Sequence, residues 1–476
     1  MGSREPQDAG RERAPNRRRA AIALAVAAAA FVAFLPALRN DWVDFDDLTL
    51  LVRNDAFRGF GREQLAWIWT NRIAGHWMPL TWTSYALDDA ISGPLPWAYH
   101  LQSLAWHAAG AATLFFVALA LARRARPAWT TGATADGARA DRRLEAFAVL
   151  AALLFALHPL RVESVAWATE RRDVLSTPLL LGALLAWLAA VERAGARASR
   201  DAREDPSRPG SARLGSSSDA PRPVSASRAP GPYALSIALL ALSLLAKAWG
   251  LSFFLVALVL DVWPLRRLPP APWRWFSRER RAVVLEKLPY LALGLVAGAI
   301  AQWAIRSQTG TVLSWERWTL GDRLVQAAHG LAFYPWKTLW PTGLVPLYEL
   351  PYELDPLEPR FVLSYLGAAG LVAIGWLARR RAPALTTALL VYAILIAPVL
   401  GFSQAGPQLV ADRYSYVACI GIALAAAAGW AALVERAQSE ARSPGARRSR
   451  GATPGTCGAT RSRSTARART RTGRSA

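Results

Sequence analysis

The chain has 476 residues, of which 53% are hydrophobic and 19% charged, with 21 Trp and a formal net charge of +22. In a soluble protein that charge would point to nucleic acid. Here the apolar residues gather in uncharged blocks near bilayer length, which excludes an ordinary soluble chain and predicts an integral membrane protein. Two cysteines, Cys419 and Cys457, exclude a disulfide framework and a cysteine metal cluster.

Residues 1–19 form a basic segment ending in Arg17, Arg18 and Arg19. The apolar run from Ala20 to Leu38 is longer than a signal-peptide core, and no small-residue cleavage site follows, so it reads as a retained first span. Further spans are predicted at 98–122, 144–158, 174–191, 233–247, 249–265, 288–305, 361–378, 384–402 and 416–434, about ten in all. The segments 123–143, 192–232, 266–287 and 379–381 are Arg-rich, whereas 39–97, 159–173, 306–360 and 403–415 are near neutral or acidic. That alternation predicts cytoplasmic termini and places the second set outside, in the periplasm of a bacterium. The loop 192–232 and the tail 435–476 are rich in Ser, Pro, Gly, Ala and Arg and read as disordered. The transmembrane core is expected over 20–434.

The external loops hold the residues with chemistry. Trp42, Trp67, Trp69, Trp77, Trp82 and Trp97 in loop 39–97 suit helices lying in the interface, where an indole is half wet. In loop 306–360 the stretch Leu324 to Trp340 is amphipathic and interrupted by Pro335, and is expected to be interfacial or re-entrant. The stretch NDWVDFDDLTLLVRND sets Asp41, Asp44, Asp46 and Asp47 just after the first span. Clustered carboxylates repel, so a proton is held more tightly and one group is raised toward the range of a general base, or the group binds a divalent cation. The plainer reading is a solvated acidic loop. HPLRVESVAWATERRDVLS, from His158 to Ser176, places ionised residues of both signs between two apolar segments. His76 in HWMPLTW, Lys247 in LLAKAWG, and Asp412 and Arg413 in ADRYSYV share the same predicted side. A lone Lys at a span end is commonly a snorkelling anchor. Several such clusters on one membrane face instead fit a site for an anionic substrate.

Taken together, DFDD, HWMPLTW, HPLRVESVAWATERRDVLS, LLAKAWGLSFFLVALVLDVWPL, EKLPY, KTLWPTGL and ADRYSYV resemble, in this order, the transmembrane and tetratricopeptide-repeat-containing membrane glycosyltransferases and their bacterial relatives, which are akin to protein O-mannosyltransferases. The resemblance covers most of Ala20 to Trp430. It implies a GT-C-like bundle with an outward cavity. Into it a polyprenyl-phosphate-linked sugar, such as mannose, enters from the bilayer and is moved to a hydroxyl acceptor, a protein first among the candidates. Carried onto this chain, the catalytic base is Asp46 or Asp47, with Asp46 favoured. Glu163, Glu170, Arg171 and Asp173 form a polar wall with His158 nearby, Lys247 and Arg413 hold the lipid phosphate, and His76 and Asp412 complete the substrate-binding set. The bland alternative for the ERRD charges is an ion-pair network bracing two spans. No nucleotide-sugar site or assured cofactor is implied; a divalent cation is the one candidate.

Relatives continue into a further span and helical repeats. Here residues 435–476 have the composition of a GC-rich gene read out of frame, so the tail is expected to be a frameshift product replacing the repeat region. The competing functional readings are a polytopic transporter or lipid flippase, or a truncated inactive relative. Polar groups at span ends rather than at mid-membrane breaks favour the enzyme over the transporter.

Overall fold

The computed structural model describes residues 7–125, 135–204, 224–307, 317–402 and 406–442. These residues are all-α apart from one short antiparallel ribbon. In chain order the helices are α1 (Gln7–Ala33), α2 (Arg62–Thr70), α3 (Pro79–Ser92), α4 (Pro96–Ala125), α5 (Ala135–Ala156), α6 (Val162–Ala166), α7 (Arg171–Glu204) and α8 (Pro230–Ala246). They continue as α9 (Phe253–Val262), α10 (Arg281–Leu285), α11 (Leu288–Arg306), α12 (Leu320–Leu339), α13 (Pro359–Arg381), α14 (Pro383–Ile396), α15 (Ser415–Ala418) and α16 (Ile420–Arg442). Strand β1 (Tyr348–Glu349) pairs with β2 (Gln408–Val410), Tyr348 opposite Val410. Two compact units are present, Met1–Gly429 and Trp430–Ala476. Of the second, only the end of α16 is described.

Proline marks where helices begin. Pro79, Pro230, Pro289, Pro359 and Pro383 sit in the first helical turn, where a missing N–H costs nothing and the fixed φ is already helical. α12 starts with a reciprocal cap in which Thr319 Oγ1 accepts from Asp322 N while Asp322 accepts from Thr319 N. It then runs unbroken through Pro335. α7 also contains a proline, Pro178, and at 34 residues extends about 50 Å, well beyond a bilayer core of about 30 Å. Its last turns lie in the segment expected to be disordered from residue 192. Ala, Arg and Glu are strong helix formers, and Arg124 pairs with Glu192 at 2.8 Å, so the helix persists to Glu204. Residues 205–223 lie outside the described set, as do Cys457 and 443–476, on which the frameshift expectation falls.

Among the described residues, five helical stretches are long and apolar enough to cross a membrane: Pro96–Ala125, Ala168–Asp201, Arg281–Arg306, Pro359–Arg381 and Ile420–Glu440. A sixth arises if Arg139–Ala156 and Pro159–Ala166, bent by 59°, count as one broken span. The expected spans 233–247, 249–265 and 384–402 fall on shorter apolar helices, Pro230–Ala246, Ala248–Val262 and Pro383–Val399. The first expected span falls on α1, which stops at Ala33 before a 3-10 turn at Leu35–Arg39. Helices thus stand where spans were expected, and among the described residues five or six of them have the length and composition of a full crossing.

Polar contacts separate two ends of the bundle. At one end Arg19 pairs with Asp141 at 2.9 Å, Arg124 with Glu192, and Arg197 donates to Arg228 O at 3.1 Å. Below the basic loop 266–281 lies a buried ion network. Arg267 reaches Asp261 and Glu286, each at 2.6 Å, and Lys287 reaches Asp261 at 2.7 Å. Glu286 also accepts from Ser225 Oγ at 2.8 Å and Ala226 N at 2.5 Å, tying the start of α8 to α10. The opposite end gathers the loops 39–97, 159–173, 247–252 and 406–415. The main apolar core joins α1, α4, α5, α7, α8 and α9.

A second, smaller core forms inside loop 39–97 from Leu50, Leu51, Phe57, Ile68, Met78, Trp82 and Tyr85, closed by Tyr99 of α4 and Ala168. This corrects the expectation of six interfacial tryptophans. Trp82 is wholly buried and packs edge-on against Trp67 at 5.0 Å, whereas Trp69 and Trp97 stay about half exposed. Phe57, Trp67 and Tyr85 all pack on the Trp82 ring, and such ring pairs add to the apolar burial.

Arg267→Met would leave Asp261 and Glu286 to share Lys287 alone. Breaking a buried network in this way costs about 3–5 kcal/mol. The expected outcome is a clear drop in unfolding temperature in detergent, read by a thermal scan of the purified chain.

Candidate functional site

The 3-10 turn Ala168–Glu170 leads directly into α7 and places Glu170 at the centre of one polar end. Its carboxylate is fully buried and surrounded by cations. Arg172 Nε donates at 3.0 Å, Lys247 Nζ at 3.1 Å, and Arg413 Nε lies at 3.3 Å. Three turns from distant parts of the chain converge here: the start of α7, the 247–252 turn after α8, and the 412–414 turn before α15.

Around this centre the remaining charges are matched. Asp173 binds Lys247 Nζ at 2.6 Å and accepts from Trp249 Nε1 at 2.5 Å and Ser164 Oγ at 3.0 Å. Glu163 accepts from the Arg413 backbone N–H at 2.6 Å and pairs with its guanidinium. Burial alone would depress the Arg413 guanidinium, but Glu170 and then Glu163 outweigh it and raise its pKa. Glu163, Glu170, Asp173, Lys247 and Arg413, proposed from separate motifs, therefore form one network.

Arg171 and Arg172 diverge. Consecutive helical residues point about 100° apart, so one of them faces the site and the other does not. Arg171 turns into the small core, where it pairs with Asp88 at 2.5 Å, donates to Tyr99 O at 2.7 Å and stacks over the Tyr85 ring at 4.5 Å. Its place is a brace between loop 39–97 and α7, not a wall of the cavity. Arg172 takes that position. Nothing in the sequence distinguishes the two, because the register of α7 is set by the buried Asp88 and tyrosines.

A cavity of about 230 Å³ adjoins the network. Its long walls are apolar, from Leu244 and Leu245 of α8 and Leu293, Val296 and Ile300 of α11. Its polar lining is Arg172, Lys247 and His76. Gly294 lets α11 approach: a Cβ there would sit 2.3 Å from Leu251 O. His76 reaches the cavity through a turn in which Ala74 (φ 53°) and Gly75 (φ 74°) are left-handed. Protein crowds the imidazole, and Arg172 and Lys247 lie close, so its pKa falls well below the ordinary value. One side of the ring still opens into the cavity, and it stays neutral at physiological pH.

The two favoured aspartates have different surroundings. Asp47 is fully buried and accepts from Val43 N at 3.1 Å and Thr169 N at 3.0 Å, pinning the first loop to the turn that carries Glu170. Asp46 is half-buried, and its carboxylate makes no hydrogen bond or ion pair among the described residues. Burial raises its pKa, opposed by Arg172, reinforced by Glu170 and opposed again by Arg413. Asp47 is also raised, by burial first, with the charge of Asp46 only a minor contributor. Burial, rather than the repulsion expected from sequence, is what shifts the pair. Asp41 and Asp44 are exposed, and among the described residues no three His, Cys, Asp or Glu side chains converge to hold a metal ion.

His158 and Asp412 stand aside from the cavity. His158 accepts from Leu160 N at 3.2 Å, and its other ring nitrogen meets Thr338 O at 2.9 Å. Asp412 accepts from Tyr348 Oη at 3.0 Å, which fastens the β1–β2 ribbon to the 412–414 turn. Cys419 is buried beside Thr338.

No protein-family model matches the chain, and neither a curated protein nor a solved structure matches it.

Asp47→Ala would free the Val43 and Thr169 amides, each bonded to an ionised acceptor and contributing about 1.5–3 kcal/mol. Hydrogen exchange followed by mass spectrometry should show faster exchange at 43 and 169, with Asp47→Asn intermediate because its carbonyl still accepts.

Proposed function

We propose that the chain is a membrane glycosyltransferase. It moves a sugar, a hexose such as mannose, from a polyprenyl-phosphate donor to a hydroxyl acceptor, with protein the favoured acceptor. The observation that carries this reading is the cavity. Its walls are the apolar faces of α8 and α11, its polar lining holds Arg172 and Lys247, and Arg172 is also the strongest charge acting on the unpartnered carboxylate of Asp46. An apolar groove beside paired cations suits a lipid phosphate, with the chain along the groove and the phosphate against the cations. Lys247 stays as the sequence assigned it. Arg172 replaces Arg413, because Arg172 lines the cavity beside Lys247 and Arg413 does not.

The chemistry is a single displacement. The acceptor oxygen attacks the anomeric carbon and its proton passes to Asp46. The bond from that carbon to the phosphate oxygen breaks, and the polyprenyl phosphate leaves with one more negative charge, stabilised by Arg172 and Lys247. Asp47 positions Asp46, and neutral His76 offers the donor a hydrogen bond. In this reading the chain forms a GT-C-like bundle of about ten membrane segments, the shorter helices included. Its termini are cytoplasmic and its site faces the periplasm of a bacterial inner membrane. The flippase alternative needs a polar route to both ends of the bundle. At the far end Asp261, Arg267, Glu286 and Lys287 are tied to one another, which favours the enzyme.

The test is sugar transfer from radiolabelled polyprenyl-phosphate mannose in membranes holding matched amounts of protein. Asp46→Asn should lower turnover by about 10²–10⁴-fold, the worth of a general base. Transfer unchanged in that variant would remove Asp46 from the mechanism.

The base works ionised, so the rate rises with pH through the pKa of Asp46. Because burial raises that pKa, the acid limb should lie above 3.8, the ordinary value, and vanish with Asp46→Asn. A pH–rate profile of kcat/KM reads both.

A further inference from the structure

The loop between α9 and α10, residues 266–281, contributes nothing to the cavity. It reads RRLPPAPWRWFSRERR and is fastened at its start: Arg267 is buried on Asp261 and Glu286 and donates to Val224 O at 3.0 Å, and Leu268 is buried with its N–H on Asp261 O. Trp275 Nε1 donates to Pro269 O at 2.8 Å and folds the loop back on itself, and Pro272–Arg274 forms a 3-10 turn. Facing outward are Trp273, 80% exposed, and Phe276, 71% exposed, among the exposed Arg274, Arg278 and Arg281 and the half-buried Arg280. None of these four arginines makes an ion pair among the described residues, and the one acidic residue of the loop, Glu279, is exposed.

The position of the loop decides what it meets. It leads straight into the apolar stretch Arg281–Arg306, whose Leu285, Leu288 and Leu295 are more than half exposed and turn outward. An exposed apolar helix of that length lies in lipid, and the loop at its end lies at headgroup depth. There, indole and phenyl rings are half wet, and unpaired guanidiniums meet phosphate oxygens. Water alone would leave two large rings exposed without return.

We propose that loop 266–281 is a binding site for anionic phospholipid headgroups of the leaflet opposite the cavity. Trp273 and Phe276 enter the interface, and Arg274, Arg278, Arg280 and Arg281 hold the phosphates. The proposal is independent of what the cavity does.

The test places the full chain in nanodiscs of phosphatidylcholine and phosphatidylglycerol, with bromine on the acyl chains of one lipid at a time. Quenching attributable to Trp273 is the difference between the wild type and Trp273→Phe. At equal mole fraction, brominated phosphatidylglycerol should quench Trp273 more than brominated phosphatidylcholine, with a local enrichment of about fivefold or more, the effect of one well-placed arginine. The enrichment should vanish in the quadruple variant R274Q/R278Q/R280Q/R281Q and return when the four are lysine instead. Three of these side chains are exposed and Arg280 is half-buried, and an unchanged unfolding temperature verifies that the fold is retained. Equal quenching by the two lipids in the wild type, no quenching of Trp273, or undiminished enrichment in the glutamine variant would each overturn the proposal.

Discussion

Glu170 is a carboxylate with no access to water, and a charge so placed survives only if cations meet it closely. Arg172, Lys247 and Arg413 do so from three separate parts of the chain. That requirement draws the start of α7, the turn after α8 and the turn before α15 to one point. The cavity follows from it. Once Lys247 is held by Glu170 and Asp173, the last turn of α8 and the neighbouring α11 flank a gap, and Gly294 lets α11 pack close against the 248–252 turn.

The network balances itself. Arg172, Lys247 and Arg413 face Glu163, Glu170 and Asp173, so Asp46 is the carboxylate left over. A phosphate that entered would compete with Glu170 and Asp173 for Arg172 and Lys247 rather than fill an empty positive pocket. Binding of this kind selects by geometry more than by bulk charge.

Much of this was legible in the residues. The apolar blocks located the helices, proline located many of their starts, and the alternation of basic and neutral loops sorted the two ends. Glu163, Glu170, Asp173, Lys247 and Arg413 were found because ionised groups beside apolar runs need a reason. The choice between Arg171 and Arg172 was not legible, since it depends on which side of α7 meets Asp88. The role of Asp47 was hidden too, because its partners are backbone amides at 43 and 169 that any residue would supply. The tryptophans of the first loop misled, since the same aromatic content serves an interface or a core. Composition marks the apolar helices without fixing their length, so among the described residues five or six meet the length of a crossing and those at 233–247, 249–265 and 384–402 are shorter.

The small core inside loop 39–97 has a consequence for how such a protein changes over time. Trp82, Tyr85, Phe57 and Met78 make that loop a packed body, and Asp47, Arg171 and the Tyr85 hydroxyl on Ala168 O key it to the turn bearing Glu170. Asp46 is carried by that body, and its location is inherited from contacts that never touch a ligand. The rim of the same loop, with Phe60 47% exposed, lies outside that packed body. The rim and the packed body beneath it are thus separable traits, open to independent inheritance.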